Sequence, residues 1–383
     1  MTYLDYSEST LREIDAYWTA KEIEQQPATW AKTLQMLVKN KTQIDAFLHP
    51  ILAKKNIRII LTGAGTSAFV GSSIVPAILK KFGGRVEAIP TTDLVSNPNE
   101  FFQPDVPTLL VSFARSGNSP ESVAAFEYAE KLVKDCSQLA ITCNAEGALF
   151  KRCVGDNKLA LLMPEETNDK SFAMTSSFSS MMLSALYVFC ASQTFSKQMA
   201  LAINATSSLL NTYHLMLKSV AMKKYERVVF LGSGGFRGLA QEGALKLLEL
   251  TDGQAMSCFD SPLGFRHGPK AVVNSQTLVI IFISNDPFTR QYDLALLAEL
   301  QKDEEVGQIL SITAKGDPIL KQDESIMLDN VADIEDPFLL FPFIVCAQVY
   351  GFQHALAIGN TPDNPSSSGT INRVVQGVKI HAL

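Results

Sequence analysis

The chain has 383 residues, 46% of them hydrophobic, which is more than one compact core usually accommodates, so we expect two domains. The charged fraction is 19% and the formal net charge is -6, so the chain lacks the clustered Lys and Arg that hold nucleic-acid phosphates. The first residues do not form a secretory signal, and no apolar stretch reaches the roughly 20 residues that span a bilayer. We therefore predict a cytoplasmic protein with a small-molecule partner, and neither a nucleic acid nor a membrane.

Residues 1–50 space their apolar side chains as a helix does, which predicts an N-terminal helical extension. After Pro50 short β-branched runs alternate with Gly- and Ser-rich loops and helical stretches, a pattern typical of a doubly wound parallel sheet. The clearest predicted strands are Ile57 to Leu61, Thr108 to Phe113 and Leu139 to Thr142.

The strand pattern recurs later in the chain at a nearly constant offset. RIILTGAG from Arg58 is repeated as RVVFLGSG from Arg227, and TLLVSF from Thr108 as TLVIIF from Thr277, both 169 positions on. LAIT matches LSIT at an offset of 171. Such a repeat predicts two related α/β domains, which we place at 51–205 and 206–383.

Two Gly- and Ser-rich loops follow successive strands of the first half. GAGTSAFVG begins at Gly63, and ARSGNSP begins at Ala114 and ends on Pro120, which opens a helix. Because the carboxyl ends of parallel strands meet at one edge of a sheet, both loops can offer hydroxyl and backbone N–H groups to a phosphate. The first loop alone is equally well explained as a turn with a helix cap.

No metal or cofactor is expected at these loops. The first lacks the GxGxxG spacing and the Walker lysine of nucleotide sites, and the six cysteines form no CxxC pair. In the second half the position of Arg115-Ser116-Gly117 is taken by Ser284-Asn285-Asp286, whose carboxylate would repel a phosphate. The halves are therefore predicted to have diverged, with the anion site kept only in the first.

A charged stripe crosses an otherwise apolar helix of the second half. In RGLAQEGALKLLEL, the residues Glu242, Lys246 and Glu249 fall at i, i+4 and i+7, on one helix face. Stripes of this kind are more often structural ion pairs, but the apolar surroundings here favour acid/base chemistry. Downstream, SPLGFRHGPK presents His267 in a Gly- and Pro-rich loop, a setting that suits proton transfer.

These motifs give the chain a resemblance to the tandem sugar-isomerase (SIS) domain family. It is similar to the AgaS-type galactosamine-6-phosphate deaminase/isomerases, also known as tagatose-6-phosphate ketose/aldose isomerases, and to the isomerase half of glucosamine-6-phosphate synthase. The specific motifs are GAGTSAF, FARSGNSPES, FAMTSSF, EGALKLLEL and SPLGFRHGPK, and the similarity covers nearly the whole chain. It implies two SIS domains, each a doubly wound parallel sheet flanked by helices in three α/β/α layers.

The resemblance also implies roles for individual residues. Glu249 would be the base that moves the C2 proton, with Glu242 and Lys246 in support. His267 would open the sugar ring from the neighbouring subunit, which implies at least a homodimer, and Lys379 would contact the open-chain sugar from a C-terminal tail over the active site. The phosphate would be held by Gly65, Thr66, Ser67, Arg115, Ser116, Gly117, Asn118 and Ser119, and the sugar also by Thr175 and Gly234.

The sequence departs from the synthase at several positions. Ala114 and Arg115 replace Ser and Gln in a phosphate loop, and Met174 replaces a serine. We also expect no N-terminal glutaminase domain, and hence no synthesis of an amino sugar from glutamine. The implied reaction is therefore release of ammonia from galactosamine 6-phosphate to give tagatose 6-phosphate. The alternatives are ketose/aldose isomerisation of tagatose 6-phosphate without deamination and, in another class, a non-catalytic sugar-phosphate-sensing regulator. A regulator usually has a basic helix-turn-helix segment, which the acidic N-terminus does not resemble.

Overall fold

The computed structural model describes residues 1–366, 369, 372–375 and 377–383. The chain forms two compact units. The first α/β unit comprises Ala28–Asp169, Met174–Gln193 and Ile371–Leu383, and the second comprises Met1–Pro27, Lys170–Ala173 and Thr194–Thr370. The N-terminal segment thus belongs to the second unit, and the C-terminal segment belongs to the first. The domain limits 51–205 and 206–383 stay a prediction.

The N-terminal region is helical, as the apolar spacing predicts, and it begins with a short antiparallel hairpin that the spacing does not predict. Its elements are β1 (Thr2–Tyr3), β2 (Tyr6–Ser7), α1 (Glu8–Glu13), α2 (Tyr17–Glu24), α3 (Gln26–Lys39) and α4 (Lys41–Leu52).

The first α/β unit is built on a five-stranded parallel sheet in the order β4-β3-β5-β6-β7. Every residue of β5 and β6 is buried, which explains why these strands are continuous apolar runs. On one face, Ile60 and Leu110 pack against Ala125 and Tyr128 of α8. The elements are β3 (Arg58–Thr62), α5 (Thr66–Phe82), β4 (Arg85–Ala88), α6 (Thr91–Ser96), α7 (Pro98–Phe101), β5 (Thr108–Ala114), α8 (Pro120–Leu132), β6 (Cys136–Thr142), α9 (Ala148–Arg152), β7 (Lys158–Leu162) and α10 (Ser176–Cys190), with a 3-10 turn at Glu165–Thr167.

The second α/β unit repeats this topology, with the parallel order β9-β8-β10-β11-β12. Val229 and Val279 pack against Leu296 and Leu297 of α15. The elements are α11 (Phe195–Thr212), α12 (His214–Ala221), β8 (Arg227–Gly232), α13 (Gly235–Leu250), β9 (Met256–Asp260), α14 (Pro262–Phe265), β10 (Thr277–Phe282), α15 (Pro287–Leu300), β11 (Gln308–Thr313), β12 (Ser325–Met327) and α16 (Asp336–Ala357), with 3-10 turns at Pro269–Val272 and Gln322–Glu324.

The duplicated strand order confirms that the sequence repeat encodes two parallel-sheet α/β units. Helix α13 lies close to the second sheet because Gly243 has no side chain: a Cβ there would come within 3.0 Å of the Phe230 ring. At the same glycine α13 also packs against α16, because a Cβ there would lie 3.2 Å from Ala347 Cβ.

Helix α16 is long and apolar enough to cross a membrane by length and composition, but 94% of its most apolar window is buried within the protein. No apolar stretch of that length is expected from the sequence, so the length of α16 differs from the expectation, and its burial makes it a core helix. Among the described residues no other helix passes that test of length and composition.

Candidate active site

The first predicted phosphate loop links β3 to α5. Gly65 has φ +54° and ψ -128°, a conformation that residues with a Cβ rarely adopt, and it lets the chain turn sharply into the helix. Thr66 and Ser67, the first two residues of the 17-residue α5, are both buried. Their hydroxyls therefore lie at the positive end of a long helix dipole, where an anion is stabilised.

The second predicted phosphate loop follows β5, the strand next to β3. Thr62 and Ser112 are register partners, so both loops leave the same edge of the sheet from adjacent strands. Gly117 has φ +67°, and its carbonyl accepts the Leu149 amide at 3.1 Å. The loop is further held by Asn144, whose side chain donates to the Ser116 carbonyl at 2.9 Å. These bonds fix the loop backbone before any ligand arrives.

The side chains of the second loop point in different directions. Asn118 accepts the Ala148 amide through Oδ1 at 2.9 Å, and the Ser119 hydroxyl donates to Ser122 Oγ at 2.6 Å. The Arg115 side chain is buried and donates from Nη2 to the main-chain oxygen of Arg373 at 2.9 Å. The sequence places Arg115 among the phosphate-binding residues but gives no hint of this bond to the C-terminal tail.

A third loop of the first unit, in the FAMTSSF motif, is organised by a carboxylate that sequence reasoning missed. Asp169 accepts the amides of Thr175 and Ser177, each at 2.8 Å, and the hydroxyls of Ser176 and Ser177. It therefore caps the start of α10, and it fixes Thr175, a predicted substrate contact. Asp169 precedes Thr175 by six residues, which is not a recognised capping pattern, so only the structure reveals it.

In the second unit the turn after the first strand has kept its backbone. Gly234 has φ +58° and ψ -124°, within a few degrees of Gly65 in the first unit. Its surroundings differ, however, because the Ser233 hydroxyl donates to the buried Asp293 at 2.5 Å. Gly234 itself is exposed.

Internal carboxylates also occupy the second loop of this unit. Asp286 caps α15 by accepting the amides of Phe288 and Thr289 at 3.1 and 2.9 Å. Asp336 accepts the Ser284 hydroxyl and, at 2.7 Å, the Asn285 amide. In the second unit, carboxylate side chains therefore accept from loop amide and hydroxyl groups of the kind that we assign to phosphate binding in the first unit. This agrees with the divergence inferred from the sequence.

Two of these carboxylates are deeply buried, and this changes their acidity. Burial raises the pKa of Asp293 to about 6, against the opposing effect of its bonds from Ser233 and the Ser284 amide. Burial also raises the pKa of Asp336. Both groups are stabilising hydrogen-bond acceptors that are held in a poorly hydrated setting.

The charged stripe on α13 forms a real cluster. The side chains of Glu242 and Lys246 are fully buried, and the Lys246 ammonium lies 3.5 Å from Glu242 Oε1 and in contact with Glu249 Oε2. Burial alone would lower the pKa of Lys246, but the two carboxylates outweigh it and raise the pKa, so the ammonium stays charged. The side chain of Glu249 keeps 23% of its surface exposed, so it is the one side chain of this cluster that can reach a ligand.

His267 lies at the tip of a firmly held loop between α14 and the 3-10 turn at Pro269–Val272, and it is exposed. Its neighbours anchor the loop to α15: Arg266 and Lys270 each pair with Glu299 at 2.8 Å, and Lys270 also pairs with Asp303 at 3.2 Å. The flanking cations are therefore structural, and they leave the imidazole presented outward.

Lys379 is exposed on the C-terminal tail, within the first unit. The tail is fixed on either side of it, by Arg115 at Arg373 and by Tyr128, whose hydroxyl donates to the His381 carbonyl at 2.6 Å. Within the first unit the structure thus organises the two phosphate loops, the Thr175 loop and the tail. Within the second it gathers Glu242, Lys246 and Glu249 on α13 and presents His267 on its own loop. Among the described residues there is no group of three or more His, Cys, Asp or Glu side chains arranged to hold a metal ion.

Comparison with known proteins gives consistent matches along the chain. The SIS domain family model matches residues 51–191 and 221–352. The chain is 47% identical over 366 residues to the D-galactosamine-6-phosphate deaminase AgaS of Escherichia coli, covering 95% of each chain, and 44% identical over 379 residues to that of Shewanella sp. (strain ANA-3), covering 98% of this chain and 94% of the other. The crystal structure of tagatose-6-phosphate ketose/aldose isomerase from Escherichia coli superposes with a TM-score of 0.90 at 44% identity, covering 95% of this chain and 96% of that one.

Proposed function

Because the chain belongs to the SIS domain family, we propose that it is an enzyme that converts galactosamine 6-phosphate and water to tagatose 6-phosphate and ammonia. Relatives that are 44 to 47% identical over nearly their whole length bear the name of that deaminase. The observation that carries the proposal is the arrangement on α13, where a buried ammonium holds a carboxylate that is itself partly exposed.

The reaction needs a base that removes a proton from C2 of the open-chain sugar and returns one to C1. Glu249 meets the geometric requirement, since Lys246 orients one of its oxygens while the side chain stays accessible. Transfer of the proton from C2 to Glu249, with a proton gained at O1, gives an enolamine. Protonation at C1 by Glu249 and loss of a proton from nitrogen then give an imine at C2. Water adds to the imine carbon, the C–N bond breaks, and ammonia leaves, so the product is the 2-ketose phosphate.

Ring opening precedes this step and requires proton transfer at the anomeric and ring oxygens. His267 is suited to it because it is exposed on a loop that its flanking ion pairs hold in place. The phosphate group is assigned to the two loops after β3 and β5, with the hydroxyls of Thr66, Ser67 and Ser116 as donors. Ser119 joins them when its proton turns from Ser122 Oγ to the phosphate. Thr175, Gly234 and Lys379 complete the proposed substrate contacts.

The proposal includes a homodimer in the cytoplasm, with His267 acting in the active site of the partner subunit. Mixed dimers test this: His267→Ala and Glu249→Gln are each inactive alone, but a mixed dimer contains one site with both wild-type residues. After co-refolding in equal amounts, activity should return to about a quarter of the wild-type value. No recovery, with mixed dimers shown by mass spectrometry, would place His267 in its own subunit's site.

The reaction itself is tested by incubating the protein with galactosamine 6-phosphate while measuring ammonia and ketose phosphate, and separately with tagatose 6-phosphate while measuring the aldose. The second arm tests the alternative, isomerisation without deamination, which the name of the superposed Escherichia coli structure favours. If the protein binds a sugar phosphate but turns over neither compound, the result would support the function of a sugar-phosphate-sensing regulator and would overturn the proposal that the protein is an enzyme.

The role of Glu249 is tested by Glu249→Gln. In deuterated water the wild-type enzyme should exchange the C2 proton of the sugar, and the variant should not, while its affinity for the sugar phosphate changes little. Glu304→Gln, at an exposed position of the same unit, is the matched control and should exchange at the wild-type rate. Exchange that persists in Glu249→Gln would remove this residue as the base.

A further inference from the structure

We propose that the Arg115 side chain is a positioning group that holds the C-terminal tail in place, and that only the backbone at this residue takes part in phosphate binding. The tail is here the described residues 372–375 and 377–383. Its effect on catalysis rests on the proposed function, in which Lys379 contacts the sugar.

The first support is the direction and burial of the guanidinium. Arg115 is only 6% exposed, and its Nη2 donates to the main-chain oxygen of Arg373 at 2.9 Å. A guanidinium has five N–H donors and no acceptor, so burying it is favourable only where protein oxygens accept those donors. The guanidinium is therefore bonded to the tail and is not directed towards the phosphate.

The second support is that the bond is one of a series of hydrogen bonds that links two loops through the tail. The side chain of Arg373 in turn donates to the main-chain oxygen of Asp169, whose carboxylate caps α10 beside Thr175. The tail is therefore tied through one residue to two of the loops that we assign to the substrate. Arg115 provides the tie to the phosphate loop, because it is the residue that directly follows β5.

The third support is that the apolar side chains described in this part of the tail are incompletely packed. Val374, Val375 and Val378 keep 37, 54 and 37% of their surface exposed. Beyond Lys379, Ile380 packs on the apolar cluster around Tyr128, and the Tyr128 hydroxyl donates to the His381 carbonyl. Because these described side chains are only partly buried, polar ties such as that from Arg115 contribute to how often the tail detaches.

Because the guanidinium bonds to a main-chain oxygen of the tail, while the phosphate is assigned to the backbone and hydroxyl groups of the loop, the tail and the anion site can be perturbed separately. Loss of the guanidinium should leave the phosphate loop able to bind an anion but should free the tail. The distinction between a tail-positioning group and a phosphate ligand is therefore measurable without any turnover.

The experiment compares wild type with Arg115→Met, Arg115→Lys and Arg373→Ala in the full-length protein. Tail release is measured as the rate of tryptic cleavage after Lys379, followed by mass spectrometry of the intact protein, and phosphate-loop function as the affinity for inorganic phosphate. Arg152→Met is the control, since Arg152 pairs with Glu127 at the surface, on α9 of the same unit. It should leave both quantities unchanged.

Arg115→Met and Arg373→Ala should each accelerate cleavage after Lys379 about 10-fold, the effect of one charge-assisted hydrogen bond. Arg115→Lys, which keeps the cation, should restore part of the wild-type resistance. Affinity for inorganic phosphate should stay within about threefold in all of them, and kcat for galactosamine 6-phosphate should fall more than KM rises.

Unchanged cleavage in both Arg115→Met and Arg373→Ala would overturn the proposal. A tenfold or greater loss of phosphate affinity in Arg115→Met would also overturn it, with or without faster cleavage, because the side chain would then be a phosphate ligand. If wild type turns over neither sugar phosphate, the proposed function fails, and the cleavage and phosphate measurements still decide the role of Arg115.

Discussion

Replacement of Lys246 by methionine removes the cation from between two carboxylates on α13. The side chains of Lys246 and Glu242 are fully buried, and that of Glu249 is three-quarters buried. Methionine matches the lysine stem in length, so the apolar contacts survive and the change isolates the charge. Two carboxylates four and three residues away are then left in a poorly hydrated environment without their common partner.

Breaking a buried ion pair by removing one partner costs about 3–5 kcal/mol, since it leaves an uncompensated buried charge. For a unit of this size that cost corresponds to a fall in melting temperature on the order of 10 °C. The assay is calorimetric unfolding at pH 7 of wild type, Lys246→Met, Glu242→Gln and the double variant. Because the neutral amide of Glu242→Gln relieves the repulsion, the double variant should be more stable than the sum of the single changes by about 1–3 kcal/mol.

The matched control is Lys134→Met, whose lysine forms a surface pair with Asp105 in which both side chains are largely exposed. This variant should have the melting temperature of the wild type, because exposed ion pairs contribute little to the free energy of unfolding. If Lys246→Met destabilises the protein by less than about 1 kcal/mol, the cluster is better hydrated than its burial indicates, and our account of how Glu249 is held is wrong.

Three further predictions concern buried groups. Burial raises the pKa of Asp293 to about 6, so between about pH 4 and pH 6 the folded protein binds a proton that the unfolded chain has released. The free energy of unfolding should therefore fall as pH rises through this range, by at most about 3 kcal/mol. Asp293→Asn should lack this slope when the free energy of unfolding is measured across the same range. Burial lowers the pKa of His354 to about 4, so below about pH 6.5 the unfolded chain binds a proton that the folded protein does not. The free energy of unfolding should therefore fall as pH drops towards 4, again by about 3 kcal/mol. His354→Phe should remove this pH dependence, and a variant with the same pH dependence as wild type would show that His354 is not its source. Asp169→Ala leaves the amides of Thr175 and Ser177 unpaired, which should cost about 2–4 kcal/mol in thermal unfolding, whereas Asp105→Ala at the surface should cost nothing measurable.

The architecture follows from the sequence because it is written in local patterns. Strand runs such as Thr108 to Phe113 and their repeats are read from neighbouring residues, and the equal offsets predict that both sheets share one strand order, which they do. The stripe of Glu242, Lys246 and Glu249 is equally local, since a helical period of 3.6 residues determines that they share a face. These features needed no knowledge of distant contacts.

The features that sequence reasoning missed depend on residues far apart in the chain. Asp336 meets Ser284 across 52 positions, and Arg115 meets Arg373 across 258, so no spacing pattern announces either bond. Arg115 in particular is read from its neighbours as part of an anion loop, because Gly, Ser and Asn surround it. Only the path of the chain shows that its side chain turns away to the tail.

The two units show that a duplicated fold keeps its backbone geometry while the side chains around its loops diverge. In each copy the first strand leads into a helix N-terminus with its N–H donors, and the near-identical turns at Gly65 and Gly234 preserve that arrangement. Such donors attract an anion wherever they stay unpaired. In the second unit Asp293 and Asp336 satisfy the donors around the corresponding loops. The helix after the turn in that unit, α13, carries the buried Lys246 between Glu242 and Glu249 towards its C-terminal end, and this is the cluster that we propose for acid/base chemistry.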